Sequence, residues 1–292
     1  MDTEGRLERY RAADRWPTEE SLATMLDNQL GAFMAVRQAL PALGQAVRAA
    51  AARLGTEGRL IYVGAGASGR LAVQDGVELW PTFGWPNQRL IYLMAGGIGA
   101  LVESKEGAED DAEAGAAAVV GHVPGPSDVV IGVAASGTTA FTRGAVAAAR
   151  AAGALTIGLA NNPQAPLLEE AELAVLLHTG PEFLSGSTRM TAGTAQKMAL
   201  NLFSTQLMIE LGRVYDGLMV HVVATNAKLV RRGQRIVQVI TGAAEEAAAA
   251  AYQQADRSIP LAVLLLDGLD IEAARERLGR THGDLRRARE AG

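Results

Sequence analysis

Two short segments of the sequence combine glycines with hydroxyl side chains, and both are suited to binding an anion. The first reads GAGASGR over residues 64–70, and the second reads AASGTT over residues 134–139. Glycine lets the backbone approach a ligand closely, and the free N–H groups at the start of a helix favour negative charge. The residues that we expect to contact an anion are Gly66, Ala67, Ser68, Ser136, Gly137, Thr138 and Thr139.

The first segment also matches the G-x-G-x-x-G pattern of dinucleotide-binding proteins. Such a protein needs an acidic residue at the end of the next strand to hold the ribose, but that strand ends LMAGG at residues 93–97. The nucleotide-binding pattern Gly-Lys-Ser/Thr is absent from the chain as well. A single serine in such a loop is often only a helix cap. Two matching hydroxyl-bearing loops together favour a site for a monophosphate.

Five apolar segments are predicted to form the strands that hold these loops. They cover residues 59–66, 89–97, 127–137, 154–162 and 171–180, and helical stretches separate them. Strands that are apolar on both faces indicate a parallel sheet covered by helices on both sides. Because strand–helix–strand connections are nearly always right-handed, we expect a three-layer α/β/α, doubly wound, five-stranded parallel sheet. Ligands bind such sheets at the carboxyl ends of the strands, where both loops fall.

The rest of the chain is predicted to be helical. Apolar residues recur at intervals of three and four over residues 21–54, where Pro41 is expected to open a second helix. A long helix is expected over residues 187–212. After Asp216 the pattern favours helices only, with three short ones in residues 242–292.

This pattern divides the chain into an N-terminal helical segment (1–54), a ligand-binding sheet domain (55–235) and a small C-terminal helical subdomain (236–292). Of the 292 residues, 49% are hydrophobic and 20% are charged, and the net charge is −5, which suits a globular core with an ordinary polar surface. The longest apolar run, at residues 261–266, is too short to span a membrane. Since the polar start of the chain does not resemble a signal peptide, we expect a cytoplasmic protein.

Residue types also limit the cofactors and partners. The chain has no cysteine, so neither disulfides nor thiolate zinc sites can form. The four histidines lack the spacing of metal ligands: His122, His178, His221 and His282. No cluster of lysine and arginine alternates with aromatic residues, so nucleic acid is not expected as a partner. We therefore expect no metal, no cofactor, no nucleic acid and no membrane, and a small anionic molecule as the partner.

Motifs along nearly the whole chain match one known pattern, and the stretch at residues 180–197 is the most specific of them. They are Thr3 with Glu4, GAGASGRL at 64–71, PTFG at 81–84, EGAEDD at 106–111, AASGTT at 134–139, GALTIGLANNP at 153–163, GPEFLSGSTRMTAGTAQK at 180–197 and ATNAKL at 224–229. With these motifs the chain resembles the N-acetylmuramic acid 6-phosphate etherase family, which is similar to the glucokinase regulatory protein and is built on the sugar isomerase (SIS) domain. The resemblance implies a homodimer whose neighbouring subunits complete each site.

The resemblance implies a lyase of cell-wall amino sugar recycling that eliminates D-lactate from C3 of the ring-opened sugar and then adds water. The residues that match the family's acid/base glutamates are Glu78, which precedes PTFG, and Glu109 in EGAEDD. Paired carboxylates that are partly desolvated can act as acid and base near neutral pH. Glu78 ends an apolar helix, where a carboxylate is a candidate for a raised pKa. Glu109 lies in an acidic stretch, predicted to be helical over residues 103–118, that alone would indicate a solvated helix face.

Four further residues are candidates for substrate contact, each with a structural alternative. Glu182 would orient the sugar or fix its turn, and Ser187 and Thr188 would contact the ligand or cap the long helix. Lys228 would bind an anion or remain a surface group.

The chain departs from the usual family pattern at Ala67, Thr138, Ala140 and Thr191, so two of the family's usual positive charges are missing. The phosphate-binding hydroxyl groups are retained. Two alternatives to the lyase therefore stay open: a non-catalytic sugar-phosphate-binding regulator, and an SIS-type aldose/ketose phosphate isomerase. The presence of both candidate glutamates argues against the regulator.

Overall fold

The structure is a computed structural model that describes residues 3–103 and 105–291. It divides into two compact units. The sheet unit comprises the described residues of Met1–Gly76 and Gln88–Ser204. The helical unit comprises Val77–Asn87 and the described residues of Thr205–Gly292.

Five strands form the centre of the sheet unit. They are β1 (Leu60–Gly64), β2 (Leu90–Met94), β3 (Val129–Val133), β4 (Leu155–Ala160) and β5 (Leu173–Leu176). Their order is β2-β1-β3-β4-β5, and every neighbouring pair is parallel. The strands β1, β3 and β4 are buried along their whole length, which explains why their sequences are almost entirely apolar. The prediction of a doubly wound, five-stranded parallel sheet is confirmed.

Twelve α-helices occur in the described part of the chain. In chain order they are α1 (Thr18–Leu54), α2 (Gly66–Val77), α3 (Leu79–Phe83), α4 (Ala112–Val120), α5 (Ala140–Ala151), α6 (Pro166–Glu170), α7 (Thr191–Glu210), α8 (Ala227–Thr241), α9 (Glu245–Gln254), α10 (Ile259–Leu266), α11 (Ile271–Arg280) and α12 (Leu285–Glu290).

Helices cover both faces of the sheet, because successive side chains of a strand point to opposite sides. On one face, Ile61 and Val63 of β1 pack with Phe141 of α5 in an apolar cluster. On the other face, the hydroxyl of Tyr62 donates to the carboxylate of Asp75 in α2, at 2.9 Å. The sheet unit therefore has the expected three layers.

The N-terminal region differs from the sequence prediction, because α1 is one helix of 37 residues that continues through Pro41. A proline inside a helix loses one hydrogen bond and costs about 3 kcal/mol. Here Pro41 itself is exposed, while Ala39 before it and Leu43 after it are both buried. Burial of the same face on both sides of Pro41 explains why the helix is not interrupted.

The helical unit has its own apolar core, which α8, α9, α10, α11 and α12 build together with Val220 and Val222. The three helices predicted in residues 242–292 are present, and α12 is a fourth. The prediction of helices only after Asp216 is wrong, since Val214–Tyr215 (β6) and Leu218–Met219 (β7) pair as an antiparallel hairpin. Asp216 and Gly217 have φ of +47° and +74°, as a two-residue Asp-Gly turn between strands requires.

Candidate functional site

The two hydroxyl-bearing loops follow neighbouring strands of the sheet. Gly64 at the end of β1 pairs with Val133 at the end of β3. The chain leaves β1 towards β2 on one side, and β3 to β5 lie on the other side. In a sheet of this order, ligands bind where the direction of winding reverses, outside the carboxyl ends of the strands. The structure therefore brings both predicted anion loops to the expected ligand position.

The first loop is a tight turn from β1 into α2. Helix α2 begins at Gly66, whose φ of +51° is in the left-handed region that glycine adopts without strain. Ala67 follows in the first turn and is partly exposed, and Ser68 is buried. The Ser68 hydroxyl makes no hydrogen bond to another described residue. A helix start with a free hydroxyl group is suited to accept an anion.

The second loop is shaped by contacts among its own residues. The hydroxyls of Ser136 and Thr138 are 2.8 Å apart, and the Thr138 N–H donates to Ser136 Oγ at 3.2 Å. Gly137 has φ of +72°, and a Cβ there would lie 2.2 Å from the Cβ of Ala165, so only glycine fits. Thr139 precedes α5 but makes no side-chain cap. Helix capping therefore does not explain the Thr139 hydroxyl.

Glu109 lines a cavity of about 240 Å³ together with the first loop. The lining residues include Gly66, Arg70, Met94, Lys105 and Glu109. The Arg70 side chain donates to the carbonyl oxygens of Ala100 and Leu101, which fixes the segment that follows β2.

The helix predicted over residues 103–118 is wrong, because Glu109 lies in the 3₁₀ turn Ala108–Asp110 and α4 begins only at Ala112. Gly107 with φ of +70° and Asp111, which accepts from the N–H of Ala114, set this break. Glu109 therefore lies on an exposed turn that lines a cavity, and not on a helix.

Glu78 is exposed at the junction of α2 and α3 and belongs to the helical unit. Its backbone carbonyl accepts from the N–H of Thr82, while its carboxylate makes no hydrogen bond to any residue in 3–103 or 105–291. Val77 and Trp80 beside it are also exposed, at 47% and 38%. The burial that the sequence indicated for this carboxylate is therefore absent in the single chain, since the apolar side chains beside it are themselves exposed. Lys228 is exposed in the first turn of α8.

Glu182 has the structural role that the sequence left as an alternative. Its side chain is buried, and its two carboxylate oxygens accept from the N–H groups of Thr191 and Ala192, both at 2.9 Å. These N–H groups open α7, which begins four residues later than predicted. Ser187 and Thr188 consequently lie in the loop before the helix rather than capping it, and their hydroxyls bond to no described residue.

A buried carboxylate that sequence reasoning missed lies in α2. Asp75 is 5% exposed and accepts from Tyr62, from Asn201 at 2.7 Å and from Ser204 at 3.0 Å. Burial raises the pKa of Asp75, and these hydrogen bonds oppose the rise. The available signal was a single acid in the mostly apolar helical stretch LAVQDGV.

Two asparagines at the end of β4 were also missed, although they occupy the position at which the sequence placed the anion loops. Asn161 is buried; its backbone N–H donates to the carbonyl oxygen of Ala135 at 2.9 Å, and its side-chain amide accepts from Gln196. Asn162 contacts Thr3. The signal was the pair of amides directly after a buried strand.

Within residues 3–103 and 105–291, no helix is both long enough and apolar enough to cross a membrane. The same residues contain no group of three or more histidine, aspartate or glutamate side chains that could hold a metal ion.

Comparison with known proteins first gives the class of fold. Residues 42–150 match the family model described as the glucokinase regulatory protein N-terminal SIS domain, and residues 120–206 match that of the SIS domain. The chain is therefore an SIS-domain protein. A solved phosphoheptose isomerase from Neisseria gonorrhoeae is similar at 16% identity with a TM-score of 0.49, and the match covers 65% of this chain and 98% of that chain.

Relatives of nearly the same length then give the family. An N-acetylmuramic acid 6-phosphate etherase from Deinococcus radiodurans is 51% identical over 278 residues, which cover 95% of this chain and 91% of the relative. An etherase from Pectobacterium atrosepticum is 48% identical, and the match covers 87% of this chain and 84% of that relative. An etherase from Salmonella choleraesuis is 45% identical, and the match covers 95% of this chain and 94% of that relative. The chain belongs to the N-acetylmuramic acid 6-phosphate etherase family, as its motifs predicted.

Proposed function

We propose that this protein is a lyase that cleaves the lactyl ether of N-acetylmuramic acid 6-phosphate. The products are N-acetylglucosamine 6-phosphate and D-lactate, and the reaction belongs to cell-wall amino sugar recycling. Similarity to etherases over 95% of the chain supports this function. The structural observation that carries it is the cavity that Glu109 lines together with Gly66 of the first anion loop.

In this proposal the phosphate group binds at the ends of β1 and β3. Ser68, Ser136, Thr138 and Thr139 supply hydroxyl groups, and the starts of α2 and α5 supply backbone N–H groups. Neutral donors of this kind bind a phosphate without a cationic side chain. Ser187 and Thr188 are proposed contacts for the sugar, and Lys228 for an anionic group. Glu182 is not among the proposed contacts, because its side chain is buried and accepts from two backbone N–H groups at the start of α7.

The proposed chemistry consists of proton transfers between carboxyl groups and the ring-opened sugar. The C2 proton is acidic because it lies next to the C1 aldehyde, so one carboxylate removes it. The C3–O bond then breaks, a double bond forms between C2 and C3, and the departing lactate oxygen takes a proton from a carboxylic acid. Water adds to C3, and a proton returns to C2. Glu78 and Glu109 are the proposed acid and base.

Measurement of D-lactate release from N-acetylmuramic acid 6-phosphate tests this proposal. Glu109→Gln and Glu78→Gln should each lower the rate by about a thousandfold, since general acid–base catalysis contributes 10²–10⁴-fold. Glu113→Gln is the matched control, because Glu113 is an exposed carboxylate of the same acidic stretch at the start of α4.

Different outcomes would separate the alternatives. Wild-type activity in Glu109→Gln would reject the proposed chemistry. If the wild-type protein binds hexose 6-phosphates but releases no lactate, it is a regulator. If it converts an aldose phosphate into a ketose phosphate, it is an isomerase.

We also propose that the protein is a cytoplasmic homodimer. Large apolar side chains are exposed along one face of α1: Leu22, Leu26, Leu30, Phe33 and Met34 are 51–69% exposed. Their spacing of three and four residues aligns them on a helix, and exposed apolar patches of this kind mark protein interfaces. Sedimentation velocity should give a dimer that Leu26→Glu dissociates. A wild-type monomer at micromolar concentration would contradict the assembly.

A further inference from the structure

The first described residue of the chain is tied to the edge of the sheet at which the ligand is expected. Thr3 is completely buried. Its N–H donates to Asn162 Oδ1 at 2.9 Å, and Asn162 Nδ2 donates to Thr3 Oγ1 at 3.2 Å. These partners are 159 residues apart in the sequence, so their contact closes a long loop of the chain, which costs conformational entropy. Reciprocal hydrogen bonds hold the segment at this position.

Asn162 places Thr3 beside the second anion loop. It lies two residues after the end of β4, which is the neighbour of β3 in the sheet. The preceding residue, Asn161, donates its backbone N–H to Ala135, and Ala135 directly precedes Ser136. Thr3 is therefore connected through two asparagines to the loop that carries the proposed phosphate-binding hydroxyl groups.

Glu4 continues from this anchor across the loop that carries Ser187. Its backbone carbonyl accepts from the Ser185 hydroxyl at 2.8 Å, and the N–H of Gly186 donates to the carbonyl of Thr3 at 3.4 Å. A Cβ on Gly186 would lie 3.0 Å from Glu4 Oε2, so the carboxylate lies directly against Gly186. The Glu4 side chain is exposed and forms no ion pair with the described residues. Its carboxylate oxygens are free to accept hydrogen bonds from a ligand.

An aromatic cluster holds the remainder of the same segment. The ring of Phe183 lies 4.8 Å from that of Tyr10 and 5.9 Å from that of Trp16, measured between ring centroids. Phe183 is buried and follows Glu182, the residue that fixes the start of α7. The segment is thus attached at both ends, at Thr3 and at Tyr10, which fixes the backbone of Glu4 between them.

We propose that Glu4 is a specificity-determining residue that accepts hydrogen bonds from hydroxyl or amide N–H groups of the sugar. This inference rests on the proposed function for the identity of the sugar phosphate. A carboxylate repels phosphate and attracts neutral donors, so Glu4 contacts the sugar while the two anion loops hold the phosphate. Glu4 takes no part in the proton transfers.

Steady-state kinetics of lactate release with Glu4 variants tests this inference. Because hydrogen bonds to charged groups contribute more than neutral ones, Glu4→Ala should raise KM about tenfold with kcat nearly unchanged. Glu4→Gln keeps one acceptor oxygen and should give a smaller rise, of about threefold. Thr3→Val, which removes the anchoring hydroxyl, should also raise KM. Glu8→Gln is the control, because Glu8 is an exposed carboxylate of the same segment whose ion-pair partner among the described residues is Arg11.

Calorimetric titration separates failure of this inference from failure of the etherase proposal. If Glu4→Ala weakens binding of N-acetylglucosamine 6-phosphate about tenfold and leaves binding of inorganic phosphate unchanged, the role of Glu4 stands even if no lactate is released. If both ligands bind Glu4→Ala as they bind the wild type, or if both are weakened equally, the inference is overturned. Because the Glu4 side chain is exposed, Glu4→Ala and Glu4→Gln should keep the wild-type melting temperature. A large fall in the melting temperature of either variant would also overturn the inference.

Discussion

The sheet unit and the helical unit bury different kinds of side chain. Every buried polar or charged side chain found in residues 3–103 and 105–291 belongs to the sheet unit: Thr3, Ser68, Asp75, Asp128, Thr142, Thr156, Asn161, Glu182, Thr191, Gln196 and Ser204. The buried core of the helical unit is formed by apolar side chains and Tyr252. The unit that carries the anion loops therefore depends on internal hydrogen bonds, which the helical unit largely does without.

The reason for the difference is what each unit has to hold in place. In the sheet unit, the loops at the strand ends have irregular backbone, and buried N–H and C=O groups there need partners. Asn161 donates to the carbonyl oxygen of Leu177, and Glu182 accepts from the two N–H groups where the loop before α7 joins that helix. In the helical unit, the polar side chains of Asn226, Ser258, Asp270 and Asp284 act at helix starts instead, where each accepts a backbone N–H. Loops built for a ligand require buried polar support, whereas packed helices require mainly caps.

The strongest test of this comparison is Glu182→Ala in the sheet unit. The substitution leaves two buried N–H groups at the start of α7 without acceptors, and each loss costs about 1–3 kcal/mol. We expect the free energy of unfolding to fall by about 4 kcal/mol. Urea unfolding measures this change in the free energy of unfolding, and hydrogen exchange in residues 180–195 shows whether the start of α7 is the part that loses stability. Glu169→Ala, at an exposed carboxylate, should change stability by less than about 0.5 kcal/mol. Equal effects of both substitutions would contradict the role of Glu182.

In the helical unit, the largest effect should come from an apolar side chain. Leu264 is completely buried in the core of this unit, so Leu264→Ala should lower the free energy of unfolding by about 3 kcal/mol. Ser258→Ala, which removes the cap of α10, should cost about 1 kcal/mol. Hydrogen exchange in residues 245–290 measures the loss of stability that each of the two substitutions causes. If the cap substitution is as destabilising as the core substitution, apolar packing does not dominate this unit.

The sequence predicts the sheet better than the buried polar groups because the two depend on different distances along the chain. Strands such as β3 are apolar over their whole length, so their type is visible locally. The roles of Asp75 and Glu182 depend on partners that are not neighbours in sequence: Asn201 is 126 residues from Asp75.

The same limit explains the candidate site. The positions of Gly66 and Ser136 at strand ends could be predicted from local pattern, and Glu109 only from the family resemblance. The exposure of Glu78 could not be predicted, because it depends on where α2 ends and on what surrounds that end.

His221 is a partly buried polar group of the helical unit. Its titration should change the free energy of unfolding measurably, though by less than Leu264→Ala does. Desolvation of the ring and the nearby Arg213 lower its pKa to about 4, although its Nε2 is 3.0 Å from the carbonyl oxygen of Gly283 and Asp284 opposes the shift. A histidine with a lowered folded-state pKa stabilises the fold above its unfolded pKa of 6.5, and this stabilisation is lost as the pH falls from about 6.5 towards 4.

Between pH 7 and pH 5 this loss should amount to about 2 kcal/mol, because the unfolded chain takes up a proton that the folded ring does not. Urea unfolding at both pH values, compared with His221→Gln, isolates the contribution. The glutamine can still donate to the Gly283 carbonyl but does not titrate in this range, so the variant should show a pH dependence that is flatter by this amount. If wild type and variant lose stability in parallel, His221 is protonated in the fold as easily as in the unfolded chain. Burial of His221 would then contribute nothing to the stability of the helical unit, and the contrast with the sheet unit would be sharper still.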